Sequence, residues 1–196
     1  MFNIGFLLID GFALMSYSSA VEPLRAANLL SEKKLYEITH ISIQNNNSLS
    51  SSGASIETKP INIIDNLQNR FEIVFVVAGG DPLLFDDKRT FDWLRKIGRQ
   101  GCHLGGVSGG PVILASAGLM EGKRMTMHWE HAEAFSEICP TLILEKTLYV
   151  KDRDRLTCAG GTAPLDLMYA LITEHYGEKF ARRVSDWFMH TEVRPS

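Results

Sequence analysis

The chain has 196 residues, a length that corresponds to one domain with a full hydrophobic core. With 45% hydrophobic and 22% charged residues its composition is that of a globular protein, which excludes a disordered, collagen-like or minimal scaffold. The formal net charge of -3 excludes a protein that binds nucleic acid over its whole surface.

The cysteines and the apolar runs give two further exclusions. Cys102, Cys139 and Cys158 form no CxxC or Cys/His spacing, so we expect buried reduced thiols, no metal site and no cofactor. No apolar run approaches the roughly 20 residues of a membrane-spanning helix, and the start lacks a signal-peptide pattern. We therefore expect a cytoplasmic protein that does not interact with membranes.

The first third of the chain predicts a strand, a helix and a strand. Residues 2–9 form a continuous apolar run, residues 17–30 carry helical spacing, and residues 36–43 alternate with a period near two. The polar segment 44–53 predicts a solvated loop or a mobile hairpin.

The middle of the chain repeats the alternation. Residues 71–78 are the most strand-like run, and residues 102–107 predict a second buried strand. A helix over residues 86–99 separates them, and another helix begins at Pro111.

The last third predicts short strands followed by two helices. The strands fall at residues 124–128, 149–150 and 156–158. Thr162 is a plausible N-cap for a helix that stops at Gly177. A final helix from residue 178 to about residue 190 would expose Arg182 and Arg183.

This alternation predicts an α/β fold, a three-layer α/β/α sandwich around a mostly parallel, doubly wound sheet. Ligands bind such sheets beyond the carboxyl ends of the strands. That rule selects five segments as candidate site regions: residues 10–11, 79–81, 106–110, 128–130 and 160–162.

Residues 106–110 match G-x-S-x-G with Ser108 at the centre, between a predicted strand and a predicted helix. The N–H groups at the start of that helix would suit a ligand carboxylate. As a nucleophile Ser108 would need a base. His128 is the best candidate, and His190 would serve only if the last helix folded back. A serine hydrolase or amidase, a ligand pocket and a structural scaffold therefore remain open.

Other residues are weaker candidates. Glu22 is either a pocket carboxylate or a solvated helix residue, and Trp129 is either core or a π face for a cationic ligand. Residues 79–81 match neither nucleotide-binding glycine pattern, which argues against nucleotide binding. The candidate ligand-binding residues are Glu22, Gly80, Asp81, Ser108, Gly109, His128 and Trp129.

Five blocks of sequence in the same order carry a family resemblance: residues 19–28, 75–81, 105–122, 125–130 and 158–168. They resemble the PfpI-like branch of the class I glutamine-amidotransferase-like fold, which is flavodoxin-like. More narrowly, the chain resembles the sensor half of GlxA-type regulators in the AraC/XylS family.

The resemblance also bears on catalysis. Enzymes of that superfamily use an elbow cysteine, a histidine from a following strand and an acid from the first helix. Here the elbow residue is Ser108, and Ser19 falls at the acidic position unless a one-turn slip substitutes Glu22. Of the three catalytic positions, only the histidine position, His128, holds the residue type that those enzymes use. Because serine lacks thiolate character, the resemblance implies a catalytically inactive pocket.

The resemblance further implies a sensor that acts with partners. Residues 1–190 would be a dimeric, ligand-sensing domain, and residues 191–196 would begin a linker to a helix-turn-helix domain absent from this chain. Promoter DNA would be bound only through that domain. From the elbow N–H groups and Trp129 we expect a small effector, an amino acid or a quaternary-ammonium carboxylate.

Overall fold

The computed structural model describes residues 1–67 and 70–196. Within these ranges the strands are β1 (Phe2–Leu8), β2 (Tyr36–Ser42), β3 (Asn47–Leu49), β4 (Ser55–Glu57), β5 (Lys59–Pro60), β6 (Ile73–Ala78), β7 (His103–Ser108), β8 (Arg124–Met125), β9 (Ile143–Leu144), β10 (Tyr149–Asp152) and β11 (Arg155–Cys158). The helices are α1 (Leu14–Leu30), α2 (Ile61–Asn66), α3 (Lys88–Arg99), α4 (Gly110–Ser116), α5 (Trp129–Ile138), α6 (Ala163–Tyr176) and α7 (Glu178–Trp187), with a 3-10 turn at Pro82–Leu84.

Seven strands form the central sheet in the order β10-β11-β7-β6-β1-β2-β5. All neighbouring pairs are parallel except β10 with β11, which is antiparallel. The chain adds β2 on one side of β1 and β6 on the other, so the strand order reverses at β1. The predicted mostly parallel, doubly wound sheet is confirmed.

Both faces of the sheet are buried, which explains the uninterrupted apolar strands. Phe6 and Phe75 point to one face and pack in the core formed with α1 and α6. Leu7 and Val76, the next residue along each strand, point to the opposite face and pack in the core formed with α3 and α4. The alternation follows from the two-residue period of a strand.

The strand register brings the selected loops to one edge of the sheet. Ala78 pairs with Ser108 at the ends of β6 and β7, and Val107 pairs with Cys158 at the end of β11. Since these strands are parallel, the segments that follow them meet beyond the same edge. The structure therefore gathers residues 79–81, 108–110 and 160–162, as predicted.

Helix α5 was not predicted. The expected strand over residues 124–128 is limited to β8, and residue 129 begins a helix of ten residues. Phe135 is the one buried residue of α5, so little of this helix packs in the core. The sequence of α5 favours a helix because it contains several alanines and glutamates, which are good helix formers.

The polar segment after β2 begins a hairpin of β3 and β4, so of the two predicted alternatives the structure has the hairpin and not the solvated loop. The buried Ser48 side chain donates a hydrogen bond to the carbonyl of Leu8 at 3.1 Å, so the hairpin is attached to the end of β1.

At the other end of the chain, α7 stops at Trp187, three residues earlier than predicted. Across the described ranges, no helix has both the length and the apolar character needed to cross a bilayer.

Candidate functional site

Ser108 is the last residue of β7 and stands in a left-handed conformation with φ of 61°. Such a conformation is uncommon for a residue with a side chain and marks a sharp turn between strand and helix. The residue is 5% exposed. The elbow predicted from the G-x-S-x-G pattern is therefore present.

The backbone around Ser108 is packed too closely for larger residues. A Cβ added at Gly110 would lie 1.9 Å from the carbonyl oxygen of Val76. One added at Gly160 would lie 2.7 Å from the Cβ of Ser108. These glycines are needed because neighbouring atoms occupy the space of a side chain.

The elbow offers fewer free N–H groups than the sequence suggests. The N–H of Gly109 donates to the carbonyl of Ala78 at 3.1 Å, and Pro111 has none. The N–H of Val112 donates to the carbonyl of Gly109 at 3.1 Å. The fold already uses these two N–H groups, so the prediction that Gly109 and the start of the helix bind a carboxylate cannot rest on them.

His128 touches the elbow through its backbone. Its N–H donates to the carbonyl of Ser108 at 3.2 Å. The imidazole instead lies at the N-cap of α5, where Nδ1 accepts from the N–H of Glu130 at 3.4 Å. In the described ranges no hydrogen bond joins this ring to the Ser108 hydroxyl, so the candidate nucleophile and base of the hydrolase alternative are not assembled as a dyad.

The first helix brings a different residue to the elbow from the two proposed for the acidic position. Glu22 forms a half-exposed ion pair with Arg25 at 2.6 Å, and Ser19 is buried. Ser16, one turn before Ser19, is 1% exposed and accepts a hydrogen bond from the N–H of Gly161 at 2.8 Å. Gly161 follows the glycine that packs against Ser108, so the Ser16 hydroxyl is held next to the elbow.

His190 is also away from the elbow. Its Nε2 lies 3.1 Å from the carboxylate of Asp166, a fully buried residue of α6. Arg194 donates to the same carboxylate through its backbone N–H at 2.8 Å and its Nη2 at 2.7 Å. Asp166 thereby fixes the segment that follows α7 to the body of the domain.

Gly80 and Asp81 shape the loop after β6. Gly80 has φ of 62°, which turns the chain away from the sheet. The Asp81 carboxylate accepts a hydrogen bond from the N–H of Leu83 at 3.2 Å and so caps the 3-10 turn. Burial and the neighbouring His128 lower the pKa of His131, while Glu130 and Asp81 act in the opposite direction. Asp81 therefore belongs to the electrostatic surroundings of the first turn of α5.

Trp129 is 80% exposed, although a tryptophan at this place was as readily expected in the core. It lies on an open groove of about 1080 Å³ beside the elbow. Met127 and Ala159 line the groove near Ser108, and Pro195 and Ser196 line it from the far end of the chain. We call this groove, defined by these residues and α5, the α5 groove.

Charged side chains of both signs line the α5 groove. Glu133 and Glu137 project from successive turns of α5, and Lys146 comes from the segment before β10. All three side chains are exposed. Glu145 also lines the groove but forms an ion pair with Arg124 at 3.2 Å. The arrangement suits a small molecule that carries both charges.

The cysteines are not part of this site. Burial raises the pKa of both Cys102 and Cys158 to about 12, so these thiols stay protonated at neutral pH. Their predicted burial is confirmed, while Cys139 is only partly buried. Thiols of this kind are inert core residues.

Sequence reasoning missed two contributors to this edge, Ser16 and His131. Ser16 lies in a run of small polar residues with no signal that selects it. His131 follows His128 by three residues, a helical spacing that places both rings in one turn once α5 is recognised.

Comparison with known proteins agrees with this architecture. The DJ-1/PfpI family model matches residues 3–174. The HTH-type transcriptional regulator GlxA of Rhizobium meliloti is 45% identical over 192 residues, which cover 97% of this chain and 58% of the regulator. The HTH-type transcriptional regulator CdhR of Pseudomonas aeruginosa is 41% identical, with 97% and 55% covered. The chain thus spans about half the length of these relatives.

Two further similarities concern an enzyme and a solved fold. Isonitrile hydratase of Pseudomonas putida is 36% identical over 109 residues, 55% of this chain and 46% of the enzyme. A crystal structure of an AraC family transcriptional regulator from Pseudomonas putida superposes with a TM-score of 0.85 at 24% identity, covering 96% of this chain and all of that one. The elbow, the sheet order and the family match lead to one conclusion: the chain belongs to the DJ-1/PfpI family.

Proposed function

We propose that this chain is the effector-sensing part of a DNA-binding transcriptional regulator and has no catalytic activity. The proposal rests on a contrast at one edge of the sheet. At the closely packed elbow the His128 ring is not hydrogen-bonded to Ser108, whereas the neighbouring α5 groove is open and contains the exposed Trp129. The similarity to regulators that are about twice as long supports it. On this proposal residues 191–196 lead toward a separate DNA-binding domain.

The proposed effector is a small zwitterion, an amino acid or a quaternary-ammonium carboxylate. The exposed indole of Trp129 offers a π face to a cationic head, an interaction worth about 0.5 to 2 kcal/mol. Glu133 and Glu137 add negative charge on the same side, and Lys146 supplies a partner for a carboxylate. The carboxylate expectation therefore rests on Lys146, since the N–H of Gly109 is already bonded.

A thermal-shift screen of amino acids and their N-methylated derivatives tests this proposal. A ligand at about 100 times its dissociation constant stabilises the folded chain by about 2.7 kcal/mol. We expect Trp129→Ala and Lys146→Gln to weaken the response. Trp187→Ala is the matched control, because Trp187 is also exposed but lies at the end of α7. A hit that binds all four proteins equally would place the effector elsewhere.

The alternative function is a small serine hydrolase or amidase that uses Ser108 and His128. The left-handed conformation of Ser108 favours it, because nucleophile elbows share that geometry. The position of the His128 ring at the N-cap of α5 argues against it. Labelling of Ser108 by a fluorophosphonate probe separates the two functions, because only an activated serine reacts.

We also propose that the chain forms a homodimer and binds promoter DNA only through a further domain. Regulators with paired recognition units present them with matching symmetry. Sedimentation should give about twice 21.9 kDa. With a net charge of -3, binding to promoter DNA at physiological salt should be no tighter than about 10⁻⁴ to 10⁻⁶ M. A monomer in sedimentation would contradict the first claim, and nanomolar sequence-dependent binding would contradict the second.

A further inference from the structure

Metal-ligating side chains of three residues meet in the first turn of α5. The ligand atoms of His128, Glu130 and His131 all lie within 4.8 Å of one another. Nδ1 of His128 is 3.8 Å from Oε2 of Glu130, and the two imidazole centroids are 5.9 Å apart. We propose that these three side chains bind one divalent transition-metal ion.

The local fold explains why they converge. His128 is the N-cap of α5, and Glu130 and His131 are the second and third residues of the helix. Side chains in a first helical turn lean back toward the helix N-terminus, so residues separated by three positions share one face. This spacing brings the two imidazoles together, and the Glu130 carboxylate reaches the same point from the neighbouring position of the turn.

The side chains are free to bind an ion. In the part of the chain that the structure describes, neither the His131 ring nor the Glu130 carboxylate has a hydrogen-bond partner. The His128 ring accepts only from the N–H of Glu130, at 3.4 Å. That distance is long for a hydrogen bond, so the contact holds the ring weakly.

The donor set indicates the type of ion. Two imidazoles and one carboxylate suit zinc, nickel or copper, whereas magnesium and calcium prefer oxygen ligands alone. Three protein ligands leave at least one coordination position open to an oxygen donor. Since the N–H of His128 is bonded to the carbonyl of Ser108, the ion would lie at the rim of the elbow.

Isothermal titration of the tag-free, metal-stripped chain with zinc and with nickel tests the proposal. We expect one ion per chain, and at least about tenfold weaker binding in Glu130→Gln and in His131→Gln. Glu130 is exposed, so its substitution does not threaten the fold. His103→Gln is the matched control, because this exposed histidine begins β7 at the opposite edge of the sheet. Cys139→Ser controls for thiol binding.

Copper electron paramagnetic resonance supplies a readout of the ligands themselves. We expect nitrogen couplings from two imidazoles in the parent, from one in His131→Gln, and from two in His103→Gln. The proposal is overturned if the parent binds zinc and nickel only with a dissociation constant above about 1 mM. It is equally overturned if binding survives in Glu130→Gln and His131→Gln, or is lost in His103→Gln or Cys139→Ser. None of these measurements involves the organic effector, so their outcome is independent of the proposed function.

Discussion

The elbow and the α5 groove lie side by side at the same edge of the sheet, yet they are built in opposite ways. Around Ser108 the backbone approaches so closely that Gly110 and Gly160 have no room for a methyl group. Around Trp129 the surface is open and carries both apolar and charged groups, and the indole is 80% exposed. The elbow is therefore closely packed, whereas the groove leaves side chains exposed.

The strongest test of the packed side is Gly110→Ala. The new methyl group would meet the Val76 carbonyl at 1.9 Å, a contact that only backbone movement can relieve. We expect a loss of about 3 kcal/mol or more in the free energy of unfolding, measured by urea denaturation. Gly98→Ala in α3 is the control, because its methyl group would meet only the flexible Leu104 side chain at 3.2 Å. The control should change stability by no more than about 1 kcal/mol. Equal effects of the two substitutions on the free energy of unfolding would show that the backbone at Gly110 is no more closely packed than the backbone at Gly98.

The next largest effect is expected where the chain beyond α7 is fixed to the domain. Asp166→Asn keeps the shape of the side chain but removes the charge that His190 and Arg194 face. We expect a loss of about 2 kcal/mol, since Asp166 is fully buried. Hydrogen exchange at residues 191–194 should accelerate, because the N–H of Arg194 donates to this carboxylate. Asp186→Asn, an exposed position in α7, should have little effect, and unchanged exchange in Asp166→Asn would contradict the proposed attachment.

A smaller effect is expected from pH. His175 stacks on Phe2 at 3.8 Å, and its Nδ1 lies 3.0 Å from the Tyr36 hydroxyl. Burial lowers the pKa of His175 below 6.5, so the unfolded chain takes up its proton first as the pH falls. Its contribution is complete above about pH 6.5 and is lost as the pH falls toward the folded-state pKa.

The measurement compares the free energy of unfolding at several pH values between about 7 and 5, the range in which histidines titrate. His175→Gln should show a shallower loss of stability than the parent. Burial also lowers the pKa of His40, so part of the slope should remain. Identical slopes for parent and variant would show that His175 is not buried as the structure has it.

The smallest effect is expected at Ser108 itself. Since its hydroxyl has no hydrogen bond to the His128 ring, Ser108→Ala should change the free energy of unfolding by less than about 1 kcal/mol. The parent should not react with a fluorophosphonate probe and should not hydrolyse small esters or amides. Stoichiometric labelling that disappears in Ser108→Ala would favour the hydrolase over the sensor.

The sequence was most informative where burial sets the pattern. The uninterrupted apolar runs that contain Phe6 and Leu7, and Phe75 and Val76, are a direct consequence of a sheet covered on both faces. The elbow was equally predictable, because a serine flanked by glycines at the junction of a strand and a helix is the pattern that such a sharp turn requires.

The site itself was only partly predictable. The position of the His128 ring follows from an unpredicted helix that packs in the core through one buried residue, Phe135. The role of Ser16 depends on a hydrogen bond to Gly161, 145 residues away, which no local pattern encodes. Whether the Gly109 N–H is free or hydrogen-bonded depends on how β6 and β7 pair.

The conformation of Ser108 also bears on how the family can diversify. Its backbone is held by neighbouring glycines, while its hydroxyl forms no hydrogen bond with the ring that would activate it. The side chain at this position can therefore change by one atom, from oxygen to sulfur, without disturbing the turn that carries it. The shape of this turn therefore does not by itself reveal whether the side chain that it carries is a nucleophile.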